Sequence, residues 1–217
     1  VMSYVIGTTH KNILTPEQSA EKFRLLAGMK EYVAEQTREK RACPQDDMVS
    51  FLTQVDYQAL GRKLTDDEIN GVVYAMVIGG LETTQYALAE QAQLLCEHPG
   101  MFATLRSDRD AIRTFIEEGM RLRSPTQGLS TRICAHDEVF QGVHVPAGSM
   151  LHLRWAAANI DPDEFEDPLE LKLDRKAATR HLAFSQGPRS CPGSNISRLE
   201  QTIAWDRLAD AFTDLVY

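Results

Sequence analysis

The sequence predicts a mainly α fold carrying a small antiparallel β sheet, and three observations predict it. Apolar residues recur at helical spacing over most of the 217 residues, two alternating runs in the second half read as strands, and one cysteine sits in a turn-rich loop ahead of the last helical run. Hydrophobic residues make up 43% of the chain and charged residues 25%, which is enough apolar material to bury a core.

The elements follow in order. From Thr15 to about Arg41, apolar positions at helical spacing and a charged end predict a surface helix closed by the turn CPQDD. Met48 to Leu60 continues as a shorter helix broken by Gly61. Thr65-Asp66-Asp67-Glu68 is a capping box, with acids at the positive end of the helix dipole. No proline follows until Pro99, so this helix can run past thirty residues, about 50 Å at 1.5 Å per residue. Its middle, Ala75 to Leu81, is apolar nearly all round and predicts passage through a protein interior.

Asp110 to Arg123 is a further helix, stopped by Ser124-Pro125. Leu129 to Cys134 and Val139 to Leu153 alternate around the turn Pro146-Ala147-Gly148 and predict the antiparallel sheet. Trp155 to Asn159 reads as a helical turn, and Asp161 to Arg180 as an irregular meander held by specific contacts. Ser194 to Phe212 predicts a last helix with Ile196, Leu199, Ile203, Leu208 and Phe212 on its apolar face.

Charge and cysteine usage exclude several functions. Asp and Glu total 31 against 23 Lys and Arg, for a net charge of −8, and no stretch gathers the cations into a phosphate-tracking face, so nucleic acid is not an expected partner. Cys43, Cys96, Cys134 and Cys191 lie far apart with no CxxC pair, which argues against a zinc site or a secreted disulfide framework and for a reducing, cytoplasmic setting. No run of about 18 apolar residues is present, so no membrane segment is expected in this portion. The chain opens Val1-Met2 and ends straight out of an amphipathic run at Leu215-Val216-Tyr217, which leads to the expectation of a fragment.

The chemistry concentrates in FSQGPRSCPG, Phe184 to Gly193. Cys191 stands just ahead of a helix, where the first amides favour a thiolate. A thiolate there is a nucleophile or a metal ligand. A nucleophile requires a base, and His181, the nearest histidine, has no acidic partner evident in sequence; a single-thiolate ligand points to haem iron, and taken alone the loop leaves a plain structural cysteine open beside it.

Phe184, Gly187, Arg189, Cys191 and Gly193 fill every fixed place of the haem-binding signature of the cytochrome P-450 family, the haem-thiolate monooxygenases, which the chain resembles. Gly79-Gly80-Leu81-Glu82-Thr83-Thr84 resembles the family's oxygen-activating motif, Glu118 and Arg121 its ExxR pair, and Asn159 to Arg175 its meander, so the resemblance covers roughly Thr65 to Phe212. It implies that residues 1–217 are the C-terminal portion of a single domain, resembling soluble bacterial members, with the N-terminal half and the final strands lying elsewhere.

The roles it implies are specific. Cys191 ligates the iron of haem b, iron protoporphyrin IX; Gly79 and Gly80 leave room for dioxygen; Glu82 and Thr83 relay protons. Glu118 and Arg121 join Arg175 in a structural network rather than the surface pair that their spacing alone would give. Arg189 and Arg132 hold the propionates. Two departures stand out: Ser185 replaces the glycine many members carry, a tolerated change if its dihedrals are ordinary, and Pro192 removes an N–H next to the sulfur. The implied activity is hydroxylation of a small hydrophobic organic substrate with electrons from a ferredoxin-type donor and its NAD(P)H-dependent reductase, specificity residing partly near Gln127 to Ser130. The rival readings are a peroxide-driven hydroxylase on the same fold, against which Glu82-Thr83 speaks, and a non-catalytic haem sensor or inactive fragment.

Overall fold

A capping box starts the first helix: the Thr15 hydroxyl accepts from the Gln18 amide, the Gln18 side chain accepts from the Thr15 amide, and α1 runs Pro16–Ala42. The computed structural model describes residues 15–128 and 131–216. α2 (Met48–Gln54) is capped by Asp47, whose carboxylate accepts from the Ser50 amide, and it stops six residues short of the predicted Leu60. The chain instead turns out into the strands β1 (Asp56–Tyr57) and β2 (Arg62–Lys63), paired antiparallel around Gly61 at φ +63°. Asp56 and the polar side chains after it bury little, so tertiary contacts do not extend the helix.

Thr65 and Glu68 close the predicted capping box, with amide-to-side-chain distances of 2.8 and 3.3 Å, and α3 runs Asp66–Glu97 over 32 residues. The described residues group into two compact units divided between Glu82 and Thr83, with α3 passing from one to the other. In the first unit, α1 is tied to the start of α3 by Thr37 Oγ1 donating to Asn70 Oδ1 at 2.8 Å and by Arg41 donating to Asp66 at 2.6 and 2.9 Å. The middle of α3 departs from expectation. Val72, Met76, Val77 and Leu81 are exposed, because no element among the described residues covers that face.

The second unit is built on α4 (Met101–Ser107), α5 (Ala111–Leu122) and α7 (Ser194–Ala211), with the end of α3. Their core is Leu95, Phe102, Leu105, Ile112, Phe115, Ile116, Met120 and Trp205, the last meeting Phe115 edge to face at 5.6 Å. α7 does not bury its predicted face. Ile196, Leu199, Ile203 and Phe212 are exposed and Leu208 is half-buried, while Gln201, Trp205 and Ala209 face the core. A polar network lies on the inward face: Trp205 Nε1 donates to Gln91 Oε1, and Gln91 Nε2 to Gln201 Oε1, each at 2.6 Å. The chain continues through Gln201 Nε2 to Ser197 Oγ at 3.0 Å and from Ser197 to Thr84 at 3.2 Å. The buried amides of Gln91 and Gln201 satisfy each other there, while no element among the described residues covers the face that carries Ile196, Leu199 and Ile203.

The predicted sheet is split into two-stranded ribbons. β3 (Thr131–Ile133) pairs antiparallel with β6 (Met150–His152), Arg132 opposite Leu151, and β4 (Glu138–Phe140) pairs with β5 (Val143–Val145). The second ribbon turns on Gln141 at φ +48° and Gly142 at φ +82°, the two left-handed residues of a tight hairpin. Leu129 and Ser130 of the predicted first strand lie outside the described residues. A helical turn α6 (Trp155–Ala158), an irregular meander and the single turn Ala178–Arg180 lead to the cysteine loop. No helix among the described residues is long and apolar enough to cross a membrane.

Candidate functional site

α5 presents two consecutive carboxylates to two different networks. Glu118 and Arg121 are both fully buried, and Arg121 donates Nε to Glu118 Oε1 at 2.7 Å and Nη2 to Oε2 at 3.0 Å. The remaining guanidinium hydrogens reach the carbonyls of Asn159, Pro168 and Glu170, and the Lys172 amide donates to Glu118 at 3.1 Å. Arg175 Nε lies 2.9 Å from Glu118 Oε1 at ion-pair distance but outside hydrogen-bond geometry, and its Nη atoms donate to the carbonyls of Glu166, Asp167 and Glu170. The structure thus brings together Glu118, Arg121 and Arg175, and their free donors hold meander carbonyls that no regular element would satisfy. Burial alone would raise the Glu118 carboxyl, but the donors from Arg121 and the Lys172 amide, with the Arg175 charge at ion-pair distance, outweigh it and hold it below the usual range.

Glu117 turns to a second network that the sequence reading missed. Its Oε1 accepts from Arg198 Nε at 2.6 Å, and its Oε2 accepts from Arg198 Nη2 and from His181 Nε2, both at 3.0 Å. Burial pushes this carboxyl up, yet the His181 and Arg198 donors bring it down to about 2. Glu117, at i,i+4 from Arg121, does not compete with Glu118 for that guanidinium, since Arg198, 81 residues on, takes the Glu117 carboxylate. Two adjacent acids on a helix whose face is otherwise apolar were the available signal, because each buried acid needs its own cation.

This network also bears on the nucleophile alternative. His181 does have an acidic partner, but its Nδ1 accepts from the Ala183 amide at 3.1 Å. With Nε2 donating to Glu117, neither ring nitrogen is left to take a proton from Cys191.

The network supports the cysteine loop. The Arg198 guanidinium lies 4.5 Å from the centroid of the Phe184 ring, and His181 packs 5.9 Å from the same ring. Asn159 Oδ1 accepts from the Leu182 amide at 2.6 Å, and the Cys191 amide donates to the Phe184 carbonyl at 2.8 Å, closing the loop. Gly187 requires its glycine, at φ +76°. Ser185 is also left-handed, at φ +58°, so the dihedrals expected to be ordinary are not. Closing the loop through the Phe184 carbonyl forces that turn. Pro192 precedes Gly193, the residue that opens α7, and so lies outside the helix.

Cys191 is exposed, and among the described residues no group of three or more His, Cys, Asp or Glu side chains is placed to hold a metal. A cavity of about 430 Å³ is lined by Arg132, Trp155, Ser185 and Arg189. Arg132 donates only to the Thr131 carbonyl, and neither guanidinium meets a carboxylate among the described residues. A Cβ on Gly193 would meet Cys191 Sγ and Ile196 no closer than 3.8 Å, so packing within the chain does not demand glycine there. An exposed thiol, two cations without an anion and a glycine with open space fit a flat, dianionic cofactor that brings its own metal.

Gly79, Gly80 and Glu82 belong to the first unit, and Thr83 begins the second. α3 continues as an unbroken α-helix through this motif, without a bulge. Glycine weakens a helix without removing an N–H, so the backbone ladder persists. Glu82 is half-buried, Thr83 is exposed and Thr84 is buried against Ser197. A Cβ would meet nothing within 4 Å at either glycine.

A family model described as Cytochrome P450 matches residues 11–213. The polyketide biosynthesis cytochrome P450 PksS of Bacillus subtilis (strain 168) is 31% identical over 190 residues, 88% of this chain and 46% of that protein. The steroid C26-monooxygenase of Mycolicibacterium smegmatis is 32% identical over 189 residues, 87% of this chain and 46% of that protein. Among solved structures, CYP109E1 from Bacillus megaterium in complex with corticosterone superposes with a TM-score of 0.85 at 32% identity, covering 93% of this chain and 53% of that one. The chain spans about half the length of the curated relatives it matches. The match runs through the ExxR helix, the meander and the cysteine loop, and with a fold shared at that level the chain belongs to the cytochrome P450 family.

Proposed function

We propose that residues 1–217 are the C-terminal portion of a single-domain haem-thiolate monooxygenase, and that Cys191 is the iron ligand. The observation that carries this is the exposed Cys191 thiol, two residues from an arginine that shares a cavity with Arg132 and has no carboxylate to pair with among the described residues. Bound there, haem b supplies the redox chemistry that activates dioxygen.

The protein residues have separable tasks. Arg132 and Arg189 bind the propionate carboxylates by charge-assisted hydrogen bonds, and Gly193 lets the macrocycle approach the backbone. Glu118, Arg121 and Arg175 fix the meander, and Phe184 and Gly187 set the loop that aims the thiolate. Gly79 and Gly80 leave a small-residue surface for dioxygen, while the Glu82 carboxyl and the Thr83 hydroxyl hold and pass protons. The substrate is a small hydrophobic organic molecule hydroxylated at a C–H bond, and electrons come from a ferredoxin-type donor with an NAD(P)H-dependent reductase in the cytoplasm.

The absorption of the reduced, carbon-monoxide-treated haem protein tests the ligand. A thiolate-type Soret band is expected in the wild type and its loss in Cys191→Ala; an unchanged band in the variant would overturn the assignment.

A further inference from the structure

Ser185 occupies a position that its backbone would rather give to glycine. It lies at φ +58° in a loop whose other left-handed residue, Gly187, is a glycine. The loop's own hydrogen bonds do not explain the side chain. The Ser185 amide donates to the Leu182 carbonyl at 2.8 Å and the Cys191 amide to the Phe184 carbonyl at 2.8 Å, and a glycine at 185 would preserve both. The Ser185 hydroxyl makes no hydrogen bond among the described residues, although the residue is half-buried. What lies beside it is the cavity that it lines with Arg132, Trp155 and Arg189.

A hydroxyl without a protein partner, next to two guanidiniums without a carboxylate, lacks one thing: an acceptor. We infer that Ser185 Oγ is a third donor, alongside Arg132 and Arg189, to a carboxylate seated in this cavity. This rests on the haem reading above, under which the carboxylate is a propionate. The strained backbone is then retained because a glycine would relax the loop but leave the carboxylate one donor short.

Two substitutions separate strain from hydrogen bonding. Ser185→Gly removes both and Ser185→Ala removes only the hydroxyl. In the cofactor-free protein, Ser185→Gly should raise the thermal midpoint and Ser185→Ala should not. In the haem-loaded protein, both variants should release haem to excess apomyoglobin faster than the wild type, on the order of tenfold, as expected for losing one hydrogen bond to a charged group. With haem dimethyl ester, whose propionates carry no charge, the three proteins should release the porphyrin at rates within about twofold of one another.

Retention of haem by Ser185→Gly as firm as that of the wild type would overturn the role of Ser185, as would an equal loss with the esterified porphyrin. If the wild type gave no thiolate-type carbonyl spectrum, the haem reading would fall and this inference with it. A wild type that gives the spectrum while the Ser185 variants release haem unchanged would sink the Ser185 role alone.

Discussion

Glu117 and Arg198, 81 residues apart, are joined by two parallel hydrogen bonds, Nε to Oε1 at 2.6 Å and Nη2 to Oε2 at 3.0 Å. The pair fastens α5 to α7 on either side of the cysteine loop, and the same guanidinium lies over Phe184, the loop's first residue. Glutamine at 117 keeps one acceptor oxygen but loses the charge, and its NH2 group would face a donor of Arg198 or His181 where a carboxylate oxygen now accepts. Glu117→Gln should therefore lower stability by about 1–3 kcal/mol, less than for a wholly buried pair because Arg198 is a third exposed. Urea unfolding at neutral pH measures it.

The same carboxylate predicts a pH dependence. Its folded value of about 2 lies below its ordinary 4.5, so its contribution is fully present above about pH 4.5 and is lost as pH falls towards 2. The urea midpoint of the wild type should fall across that window. In Glu117→Gln the fall should be shallower, because one of the depressed carboxyls is gone; an equally steep decline in the variant would contradict the assignment.

Arg121→Lys should be severe despite keeping the charge. The guanidinium serves Glu118 through two bonds and three meander carbonyls besides, and an ammonium has three donors with no planar fork. The expected loss is about 3–5 kcal/mol, with the meander opening first. Amide hydrogen exchange of residues 160–175 gives the localisation, and protection equal to wild type there would count against it.

Gly119→Ala tests the buried amide network. A Cβ there would stand 2.6 Å from Gln91 Cγ, and Gln91 cannot swing away without breaking its bonds to Trp205 and Gln201. The substitution should cost about 1–3 kcal/mol and shift the Trp205 indole N–H resonance, which is distinct from that of Trp155. An unmoved indole signal would show that the network tolerates the methyl group.

Thr83→Ala addresses the proposed proton relay. Electron uptake should be largely retained while the product formed per electron falls and released hydrogen peroxide rises. Coupling at the wild-type level would remove Thr83 from the relay.

Local signals in the sequence determined much of this protein. The capping box at Thr65–Glu68 set the start of α3, Ser124-Pro125 the end of α5, and the filled signature from Phe184 to Gly193 pointed to the family, because caps, turns and fixed loop residues act over a few positions. The Gln141-Gly142 turn was equally local and was overlooked. Only the tertiary structure decided that Glu117 meets Arg198 and His181 rather than Arg121, that α7 turns Gln201 and Trp205 inward while Ile196 and Ile203 stay exposed, and that Ser185 is left-handed. Periodicity counts apolar residues and cannot see a partner 81 or 110 positions away. A buried polar group is placed by whichever distant donor or acceptor satisfies it, and an apolar face is buried only where another element covers it; neither partner is recorded in the local pattern.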